Sequence, residues 1–249
     1  QYVKDHADSE KPFFVYWATN AVQLMYNPQE SRFEEHVDYS NNNAAILARH
    51  DQAIQRLLET IREEGIEENT LVVWVSDNGP MYDFYPTTGY SWLRGAKGET
   101  WDGGIRTPGL AWWPGVIEGG QDPMDIIHVT DWFTTMARIG GAQASIPNDR
   151  IVDGIDQTSL VLNGEGYGRR DYMFHYNGDR LEAVRMGDHK MNLAGNPLKP
   201  EIYNIIRDPG EKTPGGASYL WAIAPFKQLV MSHMMQNQKY PHRQLGPQR

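Results

Sequence analysis

Residues 71–79 read Leu71-Val-Val-Trp-Val-Ser-Asp-Asn-Gly79, an apolar run followed at once by polar residues. A short, unbroken apolar run is typical of a strand that is buried on both faces, as the strands of parallel sheets are. Ligands of open α/β sheets bind beyond the carboxyl ends of such strands, which is where Asp77 and Asn78 stand. The stretch therefore predicts an α/β fold and, in the same residues, the place of a functional site.

Two segments on the amino-terminal side extend this unit. Phe13-Phe-Val-Tyr-Trp17 is another apolar run and predicts a second strand buried on both faces. Between Leu47 and Ile61, apolar residues recur at three- and four-residue spacing, which predicts a helix that ends before Gly65. A strand, a helix and a strand of these lengths predict a right-handed βαβ crossover.

Three segments follow on the carboxyl-terminal side. Gly109-Leu-Ala-Trp-Trp113 predicts a third strand, and residues 130–139 predict a helix capped by Thr130 and stopped by Gly140-Gly141. After about residue 165 the pattern changes, because the segments 181–186 and 189–193 flank Gly187-Asp188 and predict an antiparallel hairpin.

The predicted fold class is α/β, with a mixed, largely parallel sheet sandwiched by helices. A small antiparallel sheet and a closing helix over residues 219–236 are expected to follow it. We therefore divide the 249 residues into the α/β core, 1–165, and a small subdomain with a tail, 166–249.

Composition excludes several classes of protein. The net charge is −9, which argues against an extended nucleic-acid surface, because phosphate binding needs a basic face. The longest apolar run is far shorter than the roughly 20 residues of a membrane span, so we expect none. The chain has no Cys, which excludes disulfides, thiolate metal ligands and a cysteine nucleophile within it.

Asp77 and Asn78 are the first candidates for chemistry. A carboxylate beside a carboxamide offers two hard oxygen ligands, which suit Ca²⁺ or Mg²⁺. Asn-Gly is also a common turn signal, so a purely structural interpretation stays open. The pair Asp153 and Asp156 has the same two interpretations, and its turn chemistry favours a loop anchor.

Lys97 is the second candidate, because it lies in a segment, 94–106, that is rich in glycine. Backbone amides and an ammonium group can converge on an anion in such a segment, although a solvated Lys on a surface loop fits equally well. The spacing is not that of a Walker A loop. We expect Arg94 and Arg106 to pair with Asp102 and Glu99.

Other catalytic patterns are missing from the sequence. None of the eight histidines stands in a zinc-binding spacing, and no Gly-x-Ser-x-Gly elbow occurs. His50 lies on the apolar stripe of the predicted helix, so we expect a hydrogen-bonded core residue, and we expect a structural role for His128.

Several blocks follow one another between about residues 11 and 212. They are Lys11-Pro-Phe-Phe-Val-Tyr16, Asn69-Thr-Leu-Val-Val-Trp-Val-Ser-Asp-Asn-Gly79, Leu93-Arg-Gly-Ala-Lys-Gly-Glu-Thr-Trp-Asp-Gly-Gly-Ile-Arg-Thr-Pro108, Trp113-Pro-Gly115, Asp131-Trp-Phe-Thr-Thr135, Asp153-Gly-Ile-Asp156, Ala183-Val-Arg-Met-Gly-Asp-His-Lys190 and Ile202-Tyr-Asn-Ile-Ile-Arg-Asp-Pro-Gly-Glu211. In this order they resemble the carboxyl-terminal half of the type I sulfatases, arylsulfatase-like hydrolases of the alkaline phosphatase superfamily. The resemblance implies an alkaline-phosphatase-like fold.

The resemblance also implies roles for individual residues. Asp77 and Asn78 would be two ligands of an active-site Ca²⁺, with Mg²⁺ as the alternative, which polarises the sulfate oxygens. Lys97 would bind the sulfate and stabilise charge that develops in the transition state. The family's histidine that assists the leaving-group oxygen corresponds here to Gln23, which cannot donate a proton as a general acid.

Two departures from the family pattern concern the nucleophile and the metal. The family's nucleophile is a formylglycine made from Cys or Ser in a Cys/Ser-x-Pro-x-Arg motif, and the nearest stretch here, Ser145-Ile-Pro-Asn-Asp149, has Asp in place of Arg. The paired aspartates that complete the family's metal site are also absent. Both features belong to the amino-terminal half of a sulfatase, so we expect this chain to act with that missing half as its partner.

The resemblance implies a sulfatase that hydrolyses a sulfate ester of a small molecule or a glycan. Two alternatives stay open, a phosphatase or phosphodiesterase of the same superfamily and a non-catalytic, sulfatase-like binding protein. The aromatic residues of the segment 80–92 are expected to line an aryl or sugar site or simply to pack. Family analogy and the lack of Asn-x-Ser/Thr sequons favour a periplasmic or secreted bacterial protein.

Overall fold

The structure is a computed structural model, and it describes residues 1–19, 26–27, 32–33, 42–82, 91–196 and 199–241. For residues 26–27, 32–33 and 42–46 the description is confined to the backbone. The helices are α1 (Tyr2–His6), α2 (Asn42–Glu63), α3 (Asp102–Ile105), α4 (Asp131–Ile139), α5 (Thr158–Asn163) and α6 (Leu220–Lys239). Short 3₁₀ turns lie at Glu67–Asn69, Gln143–Ser145 and Gly216–Tyr219.

The strands of the described residues form three separate sheets, and every pairing between them is antiparallel. Two two-stranded sheets join β1 (Tyr26–Asn27) to β2 (Arg32–Phe33) and β3 (Val72–Val75) to β4 (Gly109–Trp112). A four-stranded sheet has the order β5 (Tyr172–Asn177), β6 (Arg180–Met186), β7 (His189–Asn192) and β8 (Glu201–Asn204). Helices and sheets therefore combine as in the predicted α/β class, but the largely parallel pairing predicted for its sheet is not found among the described strands.

The strand predicted at 71–75 is present as β3, but its surroundings differ from the prediction. It pairs with β4 in a register that joins Val72 to Trp112 and Val75 to Gly109. Three of its residues are only half-buried and Val75 is exposed, so the expectation of burial on both faces is wrong within the described chain. The reason is that the described residues supply β4 as a neighbour and leave much of the two-stranded sheet uncovered.

The second predicted strand, 13–17, is irregular, and the βαβ crossover built on it is therefore wrong for the described chain. Phe14, Tyr16 and Trp17 have 68%, 82% and 49% of their surface exposed. An apolar segment becomes a strand only where a neighbour pairs with its backbone, and among the described residues none pairs with this one.

The hairpin and helices of the carboxyl-terminal part are confirmed. β6 and β7 pair antiparallel around Gly187, whose φ of 53° is a left-handed conformation that glycine adopts without strain. Helix α4 ends at Ile139 with Gly140 as its C-cap, as predicted, although Thr130 at its N-cap makes no capping hydrogen bond through its side chain. The predicted closing helix is α6, which runs three residues beyond the expected end.

The four-stranded sheet has two different faces, because side chains alternate along its strands. Val184, Met191 and Ile202 stand side by side on one face and pack against Ala222 and Phe226 of α6. The paired residues Arg185, Lys190 and Tyr203 lie on the opposite face. That second face meets the glycine-rich segment 94–106, so the sheet joins α6 to the loop that carries Lys97.

In the part of the chain that the structure describes, no helix has both the length and the hydropathy to cross a bilayer.

The division of the chain into a core and a small subdomain at residue 165 stays a prediction.

We predict that Phe226→Ala destabilises the protein by about 3–5 kcal/mol, because the ring is fully buried and its loss leaves a cavity between α6 and the sheet. Met235→Ala on the same helix is the matched control, since that side chain is 68% exposed. Urea unfolding of both variants measures the difference, and equal midpoints for the two would contradict the packing described here.

Candidate functional site

Asp77 and Asn78 lie in the turn that follows β3. The Asp77 carboxylate is exposed and accepts a hydrogen bond from the Asn78 amide (3.0 Å), while the Asn78 side-chain amide donates to the Gly79 carbonyl oxygen (2.8 Å). The Ser76 carbonyl oxygen accepts a hydrogen bond from the Thr107 hydroxyl (3.2 Å). The turn is thereby attached at its start to the chain just before β4.

The same turn is bonded through its backbone to the glycine-rich segment. The Gly79 amide donates to the Gly104 carbonyl oxygen (2.9 Å), and the Lys97 amide donates to the Pro80 carbonyl oxygen (2.9 Å). These two bonds bring together the two sequence-predicted site segments, Asp77-Asn78 and Lys97. The residue patterns predicted each segment separately, and only the resemblance to the sulfatases implied that both act on one sulfate group.

Glycine makes this contact possible. A Cβ atom at Gly79 would overlap the carbonyl oxygen of Gly103, one at Gly103 would overlap the carbonyl oxygens of Arg94 and Gly95, and one at Gly104 would overlap those of Ala96 and Glu99. Two backbone segments can approach this closely only where no side chain lies between them. Gly79 thus permits the contact between the two segments, whereas Gly103 and Gly104 permit the glycine-rich segment to fold closely on itself.

Lys97 itself is exposed, at the outer end of the glycine-rich segment. Among the described residues its ammonium group has no ion-pair partner. Its backbone is held by the bond to Pro80, so an exposed ammonium group is attached to a fixed backbone. Such an arrangement can meet an anion bound beside the Asp77 turn.

The structure describes only some of the remaining residues that the sequence placed at the site. Gln23 lies outside the described residues, as do Phe84, Tyr85 and Tyr90 of the aromatic segment. Tyr82 and Trp92, at its two ends, are 54% and 73% exposed. Both interpretations of the aromatic segment, an aryl or sugar site and simple packing, stay predictions.

A buried cluster of three charged residues holds the glycine-rich segment against the carboxyl-terminal sheet. Lys190 Nζ lies 2.9 Å from Asp102 Oδ1 and 3.0 Å from Glu211 Oε1, and all three side chains are buried. The Asp102 amide donates to Glu211 Oε2 (2.8 Å). The sequence analysis missed this cluster, although a Lys inside a strand with buried neighbours was the signal for it.

The predicted partners of the arginines are therefore wrong. Neither Arg94 nor Arg106 forms an ion pair with Asp102 or Glu99, all four of which the structure describes. Arg94 donates to the Glu211 carbonyl oxygen (2.7 Å) and stacks over the Trp101 ring at 3.6 Å. Asp102 is too deeply buried for a surface arginine, and Lys190 reaches it from the sheet.

Electrostatics of the cluster are set by burial. Two carboxylates share one ammonium group, and desolvation raises the pKa of Glu211 against the opposing effect of Lys190. Burial, and after it the charge of Lys190, lowers the pKa of His175 from its ordinary 6.5 to about 3. His175 Nε2 has no hydrogen-bond partner, and the imidazole is neutral around neutral pH.

The structural roles expected for other residues are supported. His50 Nε2 accepts a hydrogen bond from the Trp74 indole (2.9 Å), and His128 Nδ1 lies 2.8 Å from the Thr130 hydroxyl oxygen. Asp156 caps Thr158 through its carboxylate, as expected for a loop anchor. A second buried ion pair joins Asp131 to Arg170 at 2.5 Å.

The described residues fit a hard cation in part. The Asp77 carboxylate is open to solvent and Asn78 adds a carboxamide oxygen, which are the donor types that Ca²⁺ prefers. Ca²⁺ takes about six to eight oxygen ligands, so two residues supply only part of a coordination shell. Within the described chain, no group of three or more His, Asp or Glu side chains could hold a metal ion.

Comparison with known proteins decides the family. The sulfatase family model matches residues 1–142, which is more than half of the chain and includes the Asp77 turn and the whole glycine-rich segment. The chain belongs to the sulfatase family. The family identified by resemblance from the sequence blocks is thus confirmed.

Individual relatives agree with this assignment. N-acetylgalactosamine-6-sulfatase of Homo sapiens is 29% identical over 266 residues, which cover 89% of this chain and 48% of the relative. Steryl-sulfatase of Rattus norvegicus is 37% identical over 188 residues, 72% of this chain and 32% of the relative. This sulfatase chain spans about half the length of the N-acetylgalactosamine-6-sulfatases that it matches.

Solved sulfatases share the fold. The PsFucS1 sulfatase from Pseudoalteromonas sp. superposes with a TM-score of 0.74 at 32% identity, covering 81% of this chain and 44% of that one. The structure of Ps i-CgsB gives a TM-score of 0.78 at 23% identity, covering 95% and 53%. The predicted alkaline-phosphatase-like α/β fold class is thereby confirmed.

We predict that Gly103→Ala destabilises the sulfatase chain by about 1–3 kcal/mol or more, because the new methyl group meets backbone oxygens that have no room to move. Gly119→Ala is the control, since nothing lies within 4 Å of a Cβ atom there. Denaturant unfolding checks both variants, and an unchanged midpoint for Gly103→Ala would rule out the tight backbone contact.

A second prediction concerns the pH dependence of the free energy of unfolding. Between about pH 3 and 6.5 the unfolded chain binds a proton at His175 and the native chain does not, so this residue makes stability rise with pH by about 1.4 kcal/mol per unit. His175→Gln should lower the slope of unfolding free energy against pH by that amount in this window. Urea titrations at several pH values measure the slope, and identical slopes would mean that the native state binds the proton too.

Proposed function

We propose that this chain is part of a sulfuric ester hydrolase and supplies the residues that bind the sulfate group. The observation that carries the proposal is the backbone contact of the Gly79 turn with the glycine-rich segment in a member of the sulfatase family. That contact joins the backbone of the segment that carries the hard-oxygen pair to the backbone of the segment that carries the lysine. Both groups can assist the hydrolysis of a sulfate ester. A metal cation polarises the sulfate oxygens, and a cationic donor stabilises the negative charge that develops on them.

Lys97 is proposed to bind the transferring sulfate group. Its exposed ammonium group is free to reach a ligand oxygen, while its bonded backbone keeps the side chain at the site. A preorganised cation stabilises the negative charge of the transition state more than that of the bound substrate, which is what accelerates the reaction.

Asp77 and Asn78 are proposed as two ligands of a Ca²⁺ ion, with Mg²⁺ as the alternative. The bound cation would act as a Lewis acid toward the sulfate oxygens. The hydrogen bond from the Asn78 amide to the Asp77 carboxylate orients the carboxylate before any ion arrives. The bond from the Asn78 side chain to Gly79 likewise restrains the carboxamide.

The nucleophile is proposed to be a formylglycine outside these 249 residues. The sequence contains no Cys, and its nearest Ser-x-Pro motif, at 145–149, lacks the arginine that the family pattern requires. Gln23 stands where a histidine is expected. Because an amide cannot donate a proton as a general acid, the leaving-group oxygen would be protonated by water or by another residue.

Substrates with a ring beside the sulfate group are favoured. Tyr82 and Trp92 offer exposed aromatic faces at the two ends of the segment that separates the Asp77 turn from the Lys97 segment. Such faces stack on aryl groups or on sugar rings. A solved structural neighbour is a complex with D-glucosamine-2-N,6-O-disulfate, and several relatives are N-acetylgalactosamine-6-sulfatases, so we propose a sulfated glycan or an aryl sulfate.

The test uses p-nitrophenyl sulfate with the complete enzyme, meaning this chain together with the residues that supply the nucleophile. We predict turnover that a chelator abolishes, and a loss of about 10²–10³-fold in kcat for Lys97→Ala, which is typical when one charge-stabilising donor is removed. The 249 residues alone should give no turnover. Lys199→Ala is the matched control and should keep full activity. Lys199 is exposed and lies just before β8.

Four outcomes would contradict the proposal. Robust Ca²⁺-dependent turnover by the isolated chain would place the nucleophile within it. Equal rates for Lys97→Ala and Lys199→Ala would remove Lys97 from the site. Faster hydrolysis of p-nitrophenyl phosphate than of the sulfate would favour a phosphatase, and the absence of both activities would favour a binding protein.

A further inference from the structure

The cluster formed by Lys190, Asp102 and Glu211 has no part in the chemistry described so far. It is buried, and its three members come from two distant parts of the sequence, α3 on one side and the strand β7 with the segment after β8 on the other. We propose that this cluster positions Lys97 for sulfate binding, so that the carboxyl-terminal sheet is part of the working site. The proposal rests on the proposed role of Lys97.

Contacts lead from the cluster to Lys97 in a few steps. Asp102 is held at two points, by Lys190 through its carboxylate (2.9 Å) and by Glu211 through its backbone amide (2.8 Å). The next residue, Gly103, donates its amide to the Arg94 carbonyl oxygen (2.6 Å). The loop that carries Lys97 is thereby closed across its base by a bond directly beside Asp102.

Further contacts attach the same loop to the same part of the protein. Arg94 donates to the Glu211 carbonyl oxygen, and Thr100 donates to the Glu182 carboxylate (3.2 Å). The Trp101 ring lies 3.6 Å from the Arg94 guanidinium group and meets the Tyr203 ring at a steep angle of 84°. Each end of the loop is therefore fixed to the carboxyl-terminal sheet or to the segment that follows it.

A gain in stability alone does not explain the cluster, because the burial of charged groups costs free energy. The cluster buries two carboxylates with one ammonium group, and Asp102 Oδ2 has no hydrogen-bond partner. Glu211 also has a φ of 47°, a strained left-handed backbone conformation for a residue with a side chain. Buried ion pairs are often no more stabilising than apolar residues of similar size, so a role in fixing one geometry is the better explanation.

The ion pair of Asp131 and Arg170 provides a matched control. It is as deeply buried, and it joins α4 to the chain before β5 without touching the loop of Lys97. Asp102→Asn and Asp131→Asn are isosteric changes that remove one carboxylate charge each. A purely structural role predicts that both variants alter global stability and nothing else.

Amide hydrogen exchange distinguishes the two roles. Under native conditions, Asp102→Asn should speed exchange at Lys97 and Gly103 by about tenfold or more, and amides of the β6–β7 hairpin should keep their protection. Asp131→Asn should change these two amides only as much as it changes the whole protein. Equal effects of the two variants, or no local effect of Asp102→Asn, would overturn the proposal.

Turnover of p-nitrophenyl sulfate by the complete enzyme gives the functional readout. Asp102→Asn should lower kcat by about tenfold or more with little change in KM, because a misplaced donor costs transition-state stabilisation. Asp131→Asn should keep kcat within about twofold at temperatures well below its unfolding midpoint. Unchanged kcat in Asp102→Asn would overturn the proposal, whereas an inactive parent enzyme would overturn only the proposed function and leave the exchange result to decide.

Discussion

The close backbone contact between the turn at Gly79 and the segment at Gly103 and Gly104 is the constraint on which the site depends. Asp77 and Lys97 are twenty positions apart in the sequence, and this contact, together with the bond from the Lys97 amide to the Pro80 carbonyl oxygen, joins the turn of one to the loop of the other. A Cβ atom at Gly79 would overlap the carbonyl oxygen of Gly103, so the contact requires glycine at position 79.

The buried cluster of Lys190, Asp102 and Glu211 fixes the base of the loop that carries Lys97. Lys190 stands on the face of the carboxyl-terminal sheet opposite α6, so that one slab of four strands is packed with apolar residues on one side and with ionic partners on the other. Removing water from three charged groups is costly, and the hydrogen bond from Asp102 to Glu211 offsets only part of that cost. A sheet far along the chain thereby takes part in shaping a site formed by earlier residues.

Sequence reasoning predicted the local features well and the long-range ones poorly. The hairpin at Gly187 and helix α4 depend on residues that are close in sequence, and each carries its own signal, while the roles of the site candidates Asp77 and Lys97 stay predictions. The partner of Asp102 was missed because the choice between Arg94 and Lys190 depends on burial and on the sheet's register, which no spacing reveals. The segment 13–17 was predicted as a strand because its composition is that of a strand, but pairing also needs a neighbour.

The central claim is that the Asp77 turn and Lys97 hold the two sides of one sulfate group. A crystal structure of the complete enzyme with a bound sulfate ester and Ca²⁺ tests this claim most directly. We predict a cation on the side-chain oxygens of Asp77 and Asn78, with a sulfate oxygen within about 3 Å of Lys97 Nζ. A sulfate group bound away from Lys97, or a cation held by residues that do not include Asp77, would contradict the account.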